Sequence, residues 1–267
     1  MKEVLLTALG VGGATVIGSA LGFVFKKISH KFSDIVLAFA AGIMMAAAIL
    51  GLILPSYDYG YDFLIPFGID GTTGKLLAMA MVVGGIFAGA LCLNLIDKLV
   101  PHLHGLVGVD IDGHCCDDKS QVNKVLLFVL AIAIHNLPEG IAAGVGFGTG
   151  NTAGALLIAG GIALQNIPEG MVIIAPMLAA GIKPKRTFLC ALATGLIEVV
   201  GTLIGYFAVS ISVAILPFAL AFAGGTMLYV VSDEMIPETH SHGAERGATY
   251  SLLIGFCVML LMDVLLA

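Results

Sequence analysis

Two segments of the chain, His135-Asn136-Leu137-Pro138-Glu139-Gly140 and Gln165-Asn166-Ile167-Pro168-Glu169-Gly170, repeat one arrangement of ligand-type side chains. Residues three and four apart share a helix face, so His135, Asn136 and Glu139 project together, as do Gln165, Asn166 and Glu169. A third carboxylate, Glu198, stands in Thr194-Gly195-Leu196-Ile197-Glu198. An ionised carboxylate in hydrocarbon costs about 2.5 to 3.5 kcal/mol on insertion scales, so an intramembrane Glu with polar neighbours marks a functional site by default. Three such groups in a low dielectric repel one another unless protons or a cation neutralise them, and a divalent metal does this best. Imidazole, carboxylates and amide oxygens together suit Zn²⁺ and its neighbours Fe²⁺, Mn²⁺ and Cd²⁺; Ca²⁺ or Mg²⁺ would favour an all-oxygen shell.

The elements that hold these groups are set by composition. With 59% hydrophobic and 11% charged residues and a mean hydropathy of +1.05, the chain has too little polar surface to cover a soluble globule of 267 residues. It belongs in a bilayer. Apolar runs long enough to span fall at roughly 4–25, 34–54, 76–100, 122–147, 151–178, 187–210, 212–232 and 247–266. The expected fold is an all-α integral membrane protein with eight transmembrane helices, forming a single transmembrane domain over 1–267. Only a loop at about 101–121 is long and polar enough to stand apart. Glycine pairs within the runs, such as Gly84-Gly85, Gly160-Gly161 and Gly224-Gly225, allow close helix contact.

Lys26, Lys27, Lys31, Lys98, Lys119, Lys124, Lys183, Lys185, Arg186 and Arg246 fall on one side if the amino terminus is external, with Lys2 and Lys75 opposite. Both termini are then expected outside the plasma (inner) membrane. The first apolar run is too long for a removable signal h-region and reads as a retained span. The connection after the second span carries Asp58, Asp62 and Asp70. It reads either as a cation-gathering vestibule or as a solvated loop. Scattered basic residues without an aromatic-interleaved stripe argue against nucleic acid as a partner. Cys92, Cys190 and Cys257 lie in spans and Cys115-Cys116 in the inferred cytoplasmic loop, so no extracellular disulfide framework is expected.

The fourth and fifth spans turn near Asn151-Thr152, almost equally far from the two motifs, so their polar faces are expected to meet at similar depth. Pro138 and Pro168 remove backbone donors beside the ligands and are expected to kink both helices there. Irregular backbone at membrane depth lines binding sites in transporters. A zinc peptidase would want His-Glu-x-x-His, but Asn follows His135 and no second His lies one turn on, so an enzyme is not expected. A metal carrier leads, with an intramembrane metallohydrolase and a non-transporting metal sensor as alternatives.

These motifs resemble the signature of the ZIP (Zrt/Irt-like) family of divalent metal transporters, over essentially the whole chain. Gln165 opening the second motif resembles the bacterial GufA-like branch. The resemblance implies uptake of Zn²⁺, with Fe²⁺, Mn²⁺ or Cd²⁺ as further cargo, by alternating access of an inverted 3+2+3 repeat bundle in a homodimer. It also implies a binuclear site: one metal on His135, Glu139, Gln165 and Glu169, the other on Asn136, Glu139, Asn166, Glu169 and Glu198. Relatives often carry Asp where this chain has Asn166, so the second position here has one negative charge fewer. Asp97, His102, His104, Glu234 and Asp263 match positions on the family's cytoplasmic release route, though solvated residues at helix ends would look the same. Met44 aligns with an outer gate and equally suits a packed core. The segment Asp110-Ile111-Asp112-Gly113-His114-Cys115-Cys116-Asp117-Asp118 fits a transient metal acceptor or a polar linker, and it lacks the EF-hand's distal Glu.

Overall fold

Apolar runs of this length can satisfy their backbone groups as helices, and eight helices follow one another among the described residues of the computed structural model. It describes residues 1–24, 29–99 and 118–266 and contains no strand among them. They are α1 (Lys2–Val24), α2 (His30–Phe67), α3 (Gly71–Leu99), α4 (Asp118–Gly146), α5 (Thr152–Ala179), α6 (Pro184–Ile211), α7 (Leu216–Thr239) and α8 (Glu245–Leu266). All but α4 carry windows of described residues long and apolar enough to cross a membrane. The outward faces of α3 and α8 leave Phe87, Leu76, Val264 and Leu265 about two-thirds exposed or more. Such faces are costly in water and at home in hydrocarbon.

Local chemistry fixes the helix ends. Ser29 caps α2 by accepting from the Phe32 N–H at 3.2 Å, and Asn151 caps α5 by accepting from the Gly154 N–H at 3.0 Å. Between α4 and α5 the chain reverses through Gly150 at φ +75°, a left-handed conformation that glycine adopts without a Cβ penalty. Pro184 opens α6, where its missing N–H is no loss.

Two expectations about connections change. Asp58 and Asp62 ride on the helix, because the C-terminal part of α2 packs against α3 and α7 and stays helical to Leu64. Only 68–70 is left as a turn. Residues 118–121 are the first turn of α4 rather than loop, and the rest of that segment, with His102, His104, Cys115 and Cys116, lies outside the described residues.

The widened turns of the helices lie away from the two motifs. α4 and α5 run as continuous α-helix through Pro138 and Pro168. The wide, π-type turns occur instead in α2 over Ala47–Ile53 and in α7 over Val231–Met235, shortly before Pro55 and Pro237. There the Leu54 N–H reaches the Ile49 carbonyl and the Ile236 N–H reaches Val231, five residues back in each case. A proline ring collides with the carbonyl four residues earlier, and Gly51 and Asp233, which supply those carbonyls, lie within the widened turns.

Packing sorts the helices. α1 lies along α5 and α6, α4 along α6, α2 along α8, and α3 along α7. The α1, α4, α5 and α6 contacts are backbone to backbone. A Cβ at Gly18 would collide with the Ile167 carbonyl, at Gly170 with that of Thr15, at Gly140 with that of Glu198, and at Gly12 with that of Gly195. Small residues are what allow these approaches. A fully buried apolar layer including Met44, Leu52, Ala142, Ala143 and Ile162 fills the bundle beside them.

Candidate metal centre

Because α1, α4, α5 and α6 approach so closely, the polar side chains they carry are shut in together. Gln165, Asn166 and Glu198 are 0% exposed, Asn136 1% and Glu139 2%, while Glu169 and His135 retain 8% and 9%. Every motif residue expected at the site is therefore buried.

Glu198 is the hub of the hydrogen bonds. Its Oε1 accepts from Thr15 Oγ1 at 2.7 Å and from Asn136 Nδ2 at 2.6 Å, and its Oε2 accepts from Asn166 Nδ2 at 2.6 Å. Asn166 Nδ2 also reaches the Val11 carbonyl at 3.3 Å. Ser19 ties the backbones of α1 and α5 together by donating to the carbonyls of Thr15 and Gly170 at 2.9 and 3.1 Å.

Other polar atoms of the cluster lack well-formed partners. Both carboxylate oxygens of Glu139, the Oδ1 atoms of Asn136 and Asn166, and both amide atoms of Gln165 are buried without a hydrogen bond of good geometry, the Gln165 amide lying beside the Glu139 carboxylate. An unsatisfied buried polar atom costs about 1 to 3 kcal/mol. Five of these six atoms are oxygens, acceptors that an oxygen-binding cation would satisfy at once. Imidazole joins them from the side: His135 Nε2 lies 2.7 Å from Glu234 Oε1, an ion pair when the ring is protonated.

In this conformation, and among the described residues, no three His, Cys, Asp or Glu side chains converge to hold one ion by themselves. His135 is turned toward Glu234, and Glu198 is taken up by Thr15 and the two amides. A coordination shell built here would need the amide oxygens of Asn136, Gln165 and Asn166 as well as the carboxylates.

The outlying candidates separate. Glu234, expected along a release route, directly contacts a motif residue and keeps 23% side-chain exposure. Asp97 is near the end of α3, and its side chain, like His102 and His104, is outside the described residues. Asp263 does not belong with that group. It lies near the far end of α8, beside Met262, which faces Gly160 near the start of α5, whereas Glu234 is close to the α7–α8 turn at the opposite end. The antiparallel course of α7 and α8 enforces this separation. Met44 is fully buried in the apolar layer.

Thr15 and the contact between His135 and Glu234 were not anticipated. The row Gly12, Thr15, Gly18, Ser19 and Gly22, spaced by three and four, marks the small-residue face of α1 and was the available signal for Thr15. Nothing local signals the second contact.

Residues 111–263 match the family described as ZIP Zinc transporter. The chain is 39% identical over 259 residues to the "Zinc transporter GufA" of Myxococcus xanthus, covering 97% of each. It is 38% identical over 250 residues to the "Zinc transporter ZIPB" of Bordetella bronchiseptica, covering 94% of this chain and 77% of that one. The "Zinc transporter ZupT" of Chlorobaculum parvum is 32% identical over 255 residues, covering 93% and 91% respectively. With one family matched over more than half its length and a relative alignable almost end to end, this chain belongs to the ZIP family.

Proposed function

We propose that the protein carries divalent transition metal, Zn²⁺ foremost, across the membrane into the cytoplasm through the site between α4, α5 and α6. The observation that carries this is the set of buried, unpartnered oxygens on Glu139, Asn136, Gln165 and Asn166, with Glu169 and His135 beside them. Such a set is costly until a cation enters, and a cation of mixed nitrogen and oxygen preference fits it. The named activity of the relatives, zinc transport, agrees. Fe²⁺, Mn²⁺ and Cd²⁺ are further cargo of the same chemistry. The travelling ion is held by His135, Glu139, Gln165 and Glu169.

All eight helices span, with both termini external. The packing pattern supports an inverted repeat relating α1–α3 to α6–α8 about a central α4–α5 pair. α1 on α5 is mirrored by α6 on α4, α2 on α8 by α7 on α3, and the wide turn before Pro55 by the one before Pro237. Inverted repeats of this kind support alternating access to a midplane site. Met44 and its neighbours close the outer half, while partly exposed Glu234 receives the ion on the inner side. A homodimer in the inner membrane completes the reading.

The test is zinc uptake by the purified chain in proteoliposomes, with elemental analysis of the vesicle contents. Uptake that saturates and is lost in Glu139→Ala supports the proposal. Full uptake by a well-expressed Glu139→Ala protein overturns it.

A further inference from the structure

The ligand set implied for a second ion is closed on itself in this chain. Glu198 is wholly buried, and its two oxygens accept three hydrogen bonds of 2.6 to 2.7 Å, from the Thr15 hydroxyl and the amides of Asn136 and Asn166. An ionised carboxylate offers no donor, so each Asn facing it presents its NH₂ end. For Asn166 the Val11 carbonyl, which can only accept, requires the same flip. The Oδ1 atoms of Asn136 and Asn166 are held away from Glu198, and both are among the unpartnered buried oxygens.

Resting on the metal-site reading above, we infer that Glu198 is a positioning residue rather than a metal ligand: held by Thr15, it orients Asn136 and Asn166 so that their Oδ1 atoms complete the coordination of the one ion held by His135, Glu139, Gln165 and Glu169. Asn166 is what makes this possible. An Asp at that position would set two carboxylates against each other with no donor between them, and a second cation would be needed to hold them together. Here an N–H supplies the link. Thr15 lies on α1, outside both motifs, and reaches Glu198 because glycines bring α1 against α5 and α6.

Orienting partners of metal ligands are worth about 10- to 100-fold in metal affinity. Thr15→Val keeps the shape and removes the hydroxyl; Thr15→Ser keeps the hydroxyl. The experiment is calorimetric titration of the purified full chain with Zn²⁺, counting the ions whose binding is lost in Glu139→Gln. One such ion per chain is expected, with affinity about tenfold or more weaker in Thr15→Val, near the unsubstituted value in Thr15→Ser, and weaker at unchanged stoichiometry in Glu198→Gln. Two Glu139-dependent ions per chain, falling to one in Glu198→Gln, would make Glu198 a ligand and overturn the inference while leaving the metal site intact. Unchanged affinity in Thr15→Val overturns the positioning role in the same way. Zinc binding indifferent to Glu139→Gln and His135→Ala removes the site reading itself, and the inference with it.

Discussion

Replacing Gly140 by alanine adds one methyl group at the point where the ligand-bearing helix α4 meets α6. The new Cβ would stand 3.0 Å from both the carbonyl carbon and the Cα of Glu198, and closer still to its carbonyl oxygen. All three are backbone atoms, so no rotamer change relieves the contact. The helices must separate by several tenths of an ångström, which stretches the 2.6 Å bond from Asn136 to Glu198. Overpacking of this kind costs about 1 to 3 kcal/mol. Against it stands the gain of about 1 kcal/mol when Ala replaces Gly within a helix. Gly84→Ala on α3 isolates that gain, because its Cβ would meet nothing within 4 Å. We predict that Gly140→Ala melts at a lower temperature than Gly84→Ala in detergent and loses most of its zinc uptake in proteoliposomes, whereas Gly84→Ala melts slightly above the unsubstituted protein and takes up zinc as it does. A Gly140→Ala protein as stable and as active as Gly84→Ala would refute the claim that backbone contact between α4 and α6 sets the site.

Removing ligands should act differently from removing packing. His135→Ala and Glu169→Ala are expected to cut uptake by more than about 100-fold, beyond the range for outer partners, while melting near the unsubstituted temperature; near-normal transport by either, at normal expression, would count against direct ligation. Asn166→Asp should raise the Glu139-dependent zinc count from one per chain to two, since charge count strengthens divalent coordination, and an unchanged count by calorimetry or anomalous diffraction would refute the charge argument. Cysteine labelling in intact cells should find Asp62→Cys reachable from outside and the native Cys115 and Cys116 protected; external labelling at 115 would reverse the orientation.

Much of this site can be read from the sequence, because it is written in local periodicity. Glu139 and His135 are four apart on one helix, and the same holds for Glu169 and Gln165, so their convergence needs nothing but helical geometry and a short turn at Gly150. Thr15 escapes such reading because its partner Glu198 is 183 positions away, and the His135–Glu234 contact spans 99. Helix packing alone brings those pairs together. The prolines are less legible. Pro138 and Pro168 lie within unbroken α-helix, while the turns before Pro55 and Pro237 widen. Nothing in the local sequence separates the two pairs.

The glycine contacts also divide the molecule into parts that can and cannot slide. Within the α1, α4, α5 and α6 group, the obstacles to an added methyl are main-chain carbonyls at Gly18, Gly140, Gly144 and Gly170; the α2–α8 pair is locked in the same way at Gly42 and Gly255. Where α5 meets α2 and α8 the obstacles are side chains: Ile158 against Gly51, and Met259 against Gly161. Carbonyl-to-glycine seams interlock like gear teeth, whereas an unbranched side chain such as Met259 can yield by rotating. Shear is therefore cheapest along that boundary and dearest through the α1, α4, α5 and α6 group; on the transport reading proposed above, the coordination sphere would then move whole and need not be rebuilt at each step.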